Sequence, residues 1–177
     1  LEAEGFVTIL PRRGVIIKGL SLEDVRNVYQ IVGALEGAVV QEVFPRLDSG
    51  HISALRQITA DMREALQRDD FDLYYQHNIR FHDVFLNLSA NQALRPLIMP
   101  MKQRLYDFQR RPYVKDWEFR NCGEHDDLID AIKAGERLEA VRLMRDVHWS
   151  FEVQESYIRE FYRREAQERR RQQEAEA

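Results

Sequence analysis

The stretch SLEDVRNVYQIVGALEGAVVQEVFPRL, residues 21–47, decides the fold class. Val25, Val28, Val32, Leu35 and Val39 recur at steps of three and four, which lines them along one stripe of a helix. Ser21 precedes the stripe as an N-cap, Glu23 and Asp24 place negative charge in the first turn, and Pro45 ends or kinks the helix. Toward the C-terminus the same period returns. Ser49 reads as the cap of a second helix carrying Ile52, Leu55, Ile58, Met62 and Leu66, and Asp70 caps a third through FDLYYQHNIRFHDVFLNL, residues 71–88. A fourth is expected from about Gln92 to Arg110, irregular at its start because of Pro96 and Pro100. After a loop at RRPYVKDW, residues 110–117, a fifth includes GEHDDLIDAIKA and stops near Gly135. A last helix runs from about Glu136 almost to the end, although RREAQERRRQQEAEA, residues 163–177, lacks an apolar face and reads as a solvated, fraying extension.

Toward the N-terminus the pattern changes. GFVTIL and VIIKG are β-branched runs on either side of PRRG, so residues 1–19 read as a hairpin. The expected architecture is therefore all-α, an antiparallel bundle of about six or seven helices over residues 20–177 with a short β appendage.

Bulk composition excludes several classes. No apolar run approaches the roughly 18 to 20 residues of a membrane span, and the charged start has no signal-peptide core, so a cytoplasmic chain without a membrane partner is expected. A net charge of −4 gives the chain as a whole no electrostatic footprint for nucleic acid, so any DNA contact has to be local. Cys122 is the single cysteine and reads as a small buried apolar residue. The first residue is Leu rather than Met, which suggests a fragment whose missing part precedes it.

Three of the five histidines, His82, His125 and His148, fall on the apolar faces of three different expected helices. In HNIRFH, residues 77–82, Asn78 shares the face of His82 at i and i+4, whereas His77 points elsewhere. A single inward histidine is ordinarily hydrogen-bonded core. Three converging imidazoles each need a partner for the second ring nitrogen, and one shared divalent cation would satisfy them together. There is no HExxH, no pair of ExxH motifs and no CxxC, which removes the metalloprotease, di-iron carboxylate and zinc-finger readings.

Two stretches carry a family resemblance. NIRFHDVFLNLSANQAL, residues 78–94, is similar to a D-x-x-x-H helix followed by a junction of small residues, Asn and Leu, here Asn78, His82, Asn91 and Leu94. EHDDLIDAIKAGERLEAVRLMRDVH, residues 124–148, is similar to a second pattern, here His125, Ala131, Ile132, Gly135, Ala140 and His148. Both resemble the FCD domain, the all-helical effector-binding domain of the FadR-type branch of the GntR family of bacterial transcription regulators, over about residues 21–155. Residues 1–19 are similar to the last strands and wing of the winged helix-turn-helix that precedes this domain, with Arg12 and Arg13 at the wing tip as DNA-contacting candidates.

The resemblance implies a cavity site for a divalent transition metal on Asn78, His82, His125 and His148, with zinc or nickel first and manganese or iron within the same ligand range. Asn78 departs from the family's aspartate, removing one negative charge from the ligand set and favouring completion by an anionic ligand. A second departure is Val32, which stands where the family often carries an Arg four residues before Glu36. Arg104, read as inward among Leu97, Met101 and Phe108, is the candidate replacement for binding an effector carboxylate, with Asn121 and Glu152 as supporting residues. The implied protein is a homodimeric regulator that binds a small carboxylate and is coupled to operator DNA through an N-terminal domain, with no catalytic residues. Two alternatives stay open: a metal-dependent enzyme using an open three-histidine site, and a metal-free helical interaction module.

Overall fold

Ser21 opens the first helix as its sequence demands. Its hydroxyl accepts from the Asp24 backbone N–H at 3.1 Å, while the Asp24 carboxylate accepts from the Ser21 N–H at 2.9 Å, a reciprocal pair that satisfies two donors of the first turn. The computed structural model describes residues 7–10, 14–17, 20–109 and 113–175. Strands β1 (Val7–Leu10) and β2 (Gly14–Ile17) pair antiparallel, with Val7 opposite Ile17 and Leu10 opposite Gly14. Helices α1 (Leu22–Val43), α2 (Ser49–Gln67), α3 (Phe71–Leu88), α4 (Leu94–Gln109), α5 (Lys115–Lys133), α6 (Arg137–Arg142) and α7 (Phe151–Ala175) follow, giving an all-α bundle behind the hairpin. The wing-tip residues Arg12 and Arg13 lie outside the described residues.

Local chemistry sets most boundaries. Pro45 sits in a short 3₁₀ turn, Phe44–Arg46, that closes α1. The cap of α2 is Asp48 rather than Ser49, because the Asp48 carboxylate accepts from the His51 N–H at 2.9 Å and also meets the His51 ring. Ser49 is the first helical residue instead. At the end of α5, Gly135 takes φ +77° and the Glu136 N–H reaches back to the Ala131 carbonyl at 2.9 Å, a left-handed stop that glycine adopts without strain. The expected loop at residues 110–117 is shorter than its sequence suggested, since Lys115 to Trp117 already belong to α5, with Asp116 and Glu118 in its first turn.

The last helix is not continuous. After α6 the chain widens into a π turn, Leu143–His148, passes through Trp149 and Ser150, and restarts as α7, which holds helical form to Ala175. The reason lies on α1. A Cβ at Gly33 would stand 2.8 Å from Trp149 Cβ, and one at Gly37 3.1 Å from Arg145 Cβ, so the missing side chains let the π turn press against α1. His148 and Trp149, consecutive in sequence, both end up buried.

Helix α1 packs against α3, α4, α6, the π turn and α7, while α2 lies on α3 and α5. The main core joins Val25, Val32, Val40, Phe81, Phe85, Ile129, Met144 and Phe161, and a second cluster joins Met62, Leu66, Phe71, Tyr74 and Cys122. Cys122 is buried, and burial pushes its thiol up to about 12, which keeps it unreactive as its sequence reading required. Among the described residues no helix is long and apolar enough to cross a membrane.

Candidate metal centre

Three elements deliver the histidines. His82 comes from the middle of α3, His125 from α5, and His148 from the end of the π turn, with 1%, 1% and 9% of their surface exposed. One ring nitrogen of each lies within 4.8 Å of the others. Nitrogens sharing one ion stand at most about 4 Å apart, twice an ordinary metal–nitrogen bond, so the cluster is near that spacing. Phe81 fixes the His125 ring by stacking on it at 3.8 Å and 9°, and Trp149 meets His148 edge-on at 5.2 Å.

The ring nitrogens divide into backed and open ones. Nδ1 of His148 contacts the Glu124 carboxylate at 3.1 Å, and Nδ1 of His82 lies 2.6 Å from Glu36 Oε2, a close contact without hydrogen-bond alignment. Nε2 of His82 and both nitrogens of His125 are buried with no hydrogen-bond partner. Buried nitrogens left open in this way cost stability unless something binds them. Carboxylates behind two imidazoles, with open nitrogens in front, form the arrangement that orients and strengthens histidine ligands toward an ion. Burial also lowers His82 to about 4 and holds His125 well below the ordinary histidine range, so both rings are neutral near pH 7, the form that ligates. The donor set fits a divalent transition ion.

Both supporting carboxylates are themselves held. Burial pulls Glu36 upward, but His82 and Lys102 outweigh it and leave the carboxyl well below its usual range; with His82 uncharged near pH 7, the cation on Glu36 is Lys102. Lys102 Nζ lies 3.0 Å from Glu36 Oε1 and Trp149 Nε1 donates to Oε2 at 2.8 Å. Glu124 is also lowered: burial opposes ionisation, and His148, Gln154 and Arg120 overcome it. Gln154 donates to Glu124 at 2.8 Å and is oriented in turn by Trp117 Nε1, 2.9 Å from its oxygen.

A cavity of about 40 Å³ adjoins the cluster, lined by residues that include Asn78, Lys102, Glu118, Asn121, His148 and Trp149. Asn78 and Asn121 therefore border the histidine site. Glu152 does not: it is exposed and pairs with Arg26 at 2.6 Å. Arg104 lines a different groove, between α1 and α4, together with Asp24, Ile31 and Leu97. The buried stripe of α4 is Ile98, Lys102 and Leu105, one residue away from the stripe that contains Leu97, Met101 and Arg104. The cavity cation is thus Lys102, which sequence reasoning missed because both stripes of α4 satisfy helical spacing and the two prolines blur where the helix begins. Glu124, the neighbour of His125 in sequence, meets His148 from another element.

Comparison with known proteins agrees with this architecture. The FCD domain family model matches residues 27–148, and the chain belongs to that family. It is an FCD domain of the kind found in GntR/FadR-type transcription regulators. Over 93 residues it is 32% identical to an HTH-type transcriptional regulator of Agrobacterium vitis named for the TAR-I ttuE-ttuC' intergenic region, a match covering 51% of this chain and 54% of that protein. The chain thus spans about half the length of the curated relative it matches. Its fold is similar to that of E. coli McbR/YncC, with a TM-score of 0.74 at 13% identity over 92% of this chain and 79% of the other. Streptococcus agalactiae GntR gives a TM-score of 0.59 at 15% identity over 84% and 74%.

Proposed function

We propose that this chain is the sensing part of a transcription regulator and that its histidine cluster, with Asn78 beside it, holds a divalent transition metal, zinc or nickel first. The observation that carries the reading is the set of buried open nitrogens on His82 and His125 beside His148, with Glu36 and Glu124 behind two of the three rings. A bound ion would supply concentrated positive charge and open coordination positions suited to an anionic oxygen. Lys102 adds a second cation at the cavity wall, so a small organic acid is the expected effector.

Sensing needs a route out of the cavity. Trp149 bonds to Glu36 and follows His148 directly, and α7 begins two residues later. The Tyr162 hydroxyl on α7 donates to the Leu20 carbonyl, where the hairpin joins the bundle, and Arg26 ties α1 to Glu152. An acid that binds one packing of the π turn better than another shifts the orientation of whatever is attached before residue 20. In this reading residues 1–19 end a winged DNA-binding domain with Arg12 and Arg13 at its wing, residues 20–177 form the effector domain, and two copies assemble to read two half-sites.

Elemental analysis of the purified chain tests the metal. About one ion per chain is expected, lost in His82→Ala with helix content unchanged by circular dichroism, and bound more tightly in Asn78→Asp because a carboxylate replaces an amide. A chain that takes up neither zinc nor nickel after soaking would sink the reading.

A further inference from the structure

The stretch RREAQERRR, residues 163–171, carries five arginines against two glutamates in a chain whose net charge is −4. It belongs to α7, and the contacts of that helix fix where it lies. Near its start α7 meets α1 at Arg26, whose guanidinium sits 4.2 Å from the Phe151 ring and pairs with Glu152, while at Tyr162 it meets Leu20, just before α1 begins. The two helices therefore run antiparallel, and residues 163–175 continue about 20 Å past the joint with the hairpin. Phe151, Gln154, Ile158 and Phe161 form the buried side of α7, whereas Arg163, Arg164 and Arg171 turn away from it and are exposed. Arg163 and Arg164 share one carboxylate, Glu160, at 2.7 and 2.9 Å, so that pair keeps a surplus positive charge.

Between Arg163 and Ala175 the helix has no apolar side chain larger than alanine, so it has nothing to insert into a lipid interface or an apolar groove. A surface of this kind suits a partner whose own charges are negative, fixed and closely spaced, as the phosphates of duplex DNA are. Resting on the regulator reading above, which puts a DNA-binding domain before residue 20, we infer that the extension of α7 is a second DNA contact, with Arg163, Arg164 and Arg171 on the phosphate backbone. The three span about 12 Å of helix, which covers about three successive phosphates of one strand. Such contacts carry no sequence information, so the arm adds affinity and salt dependence and leaves operator choice to the winged domain.

Fluorescence anisotropy of the purified chain with a short labelled duplex tests this. Each engaged arginine contributes about 0.9 to the slope of log affinity against log salt, so three predict about a 20-fold loss over a threefold rise in salt, equal for unrelated duplex sequences. Arg163→Gln, Arg164→Gln and Arg171→Gln together should remove most of that slope with helix content unchanged by circular dichroism. Arg137→Gln, beside Phe44 and Pro45 at the far end of α1, should leave it as it was. A parent chain that ignores the duplex at low salt, or an unchanged slope in the triple variant, would overturn the inference. Polyglutamate bound as tightly as the duplex would overturn it by assigning the arginines to an acidic protein surface, and binding to phosphatidylserine vesicles but not to duplex by assigning them to a membrane. The metal content of the same preparations reports separately on the sensing reading, so a chain that holds zinc and ignores DNA fails here alone.

Discussion

Glu36 and Glu118 are buried to the same degree, 3% and 2% exposed, yet their carboxyls are shifted in opposite directions from the ordinary value. Glu36 faces Lys102 at 3.0 Å and the Trp149 indole at 2.8 Å, and it stays ionised. Glu118 has only uncharged donors, Tyr74 and Asn121, and burial raises it to about 7. Desolvation pushes both carboxyls the same way; the presence or absence of one buried cation separates them. The bundle therefore has one side where a carboxylate is held ionised beside a histidine and another where a carboxyl titrates near neutrality.

Removing that cation should have the largest effect. Lys102→Met leaves the Glu36 carboxylate buried without its counter-ion, and urea unfolding at pH 7 should show a loss of about 3 to 5 kcal/mol. Adding Glu36→Gln should recover most of it, since a neutral pair no longer carries the desolvation penalty. A single variant as stable as the parent would mean that burial does not strand this charge.

The Glu118 side predicts a pH dependence of moderate size. Glu118 is raised from 4.5 to about 7 in the folded chain, so the folded state holds a proton that the unfolded state releases. Its contribution to stability is complete below about pH 4.5 and is lost as pH rises through about 7. Glu118→Gln removes this dependence and should be more stable than the parent at pH 8 by on the order of 2 kcal/mol, with the difference shrinking toward pH 5. Parallel stability curves for parent and variant between pH 5 and 8 would contradict the assignment.

The smallest effect falls on the hydroxyl that holds Glu118. Tyr74→Phe removes its 2.6 Å hydrogen bond at a cost of about 1 kcal/mol and should move the Glu118 titration further upward, read from the carboxyl carbon resonance. A downward shift would show that Tyr74 does not stabilise the ionised form.

Much of the fold was legible because its signals are local. The stripe Val25, Val28, Val32 and Val39, the Ser21 and Asp70 caps, Pro45 and Gly135 each act within one or two turns of chain. Periodicity also put His82, His125 and His148 on inward faces. Less legible was the charge around them. Glu36 and Lys102 are separated by 66 residues, and Glu124 and His148 by 24, so no window of helical period relates them. On α4 the spacing admitted Arg104 as readily as Lys102, and only packing against α1 chooses between two adjacent stripes.

By itself the sequence determined the order of the helices, the Ser21 and Asp70 caps, and which three histidines turn inward, because these follow from side-chain spacing and backbone chemistry over a few residues. The tertiary structure decided that Gly33 and Gly37 admit a π turn where a continuous helix was expected, that Lys102 enters the cavity, and that two equally buried glutamates are shifted in opposite directions. Those outcomes depend on which helices touch, and a buried charge takes its state from neighbours that the chain brings together only on folding.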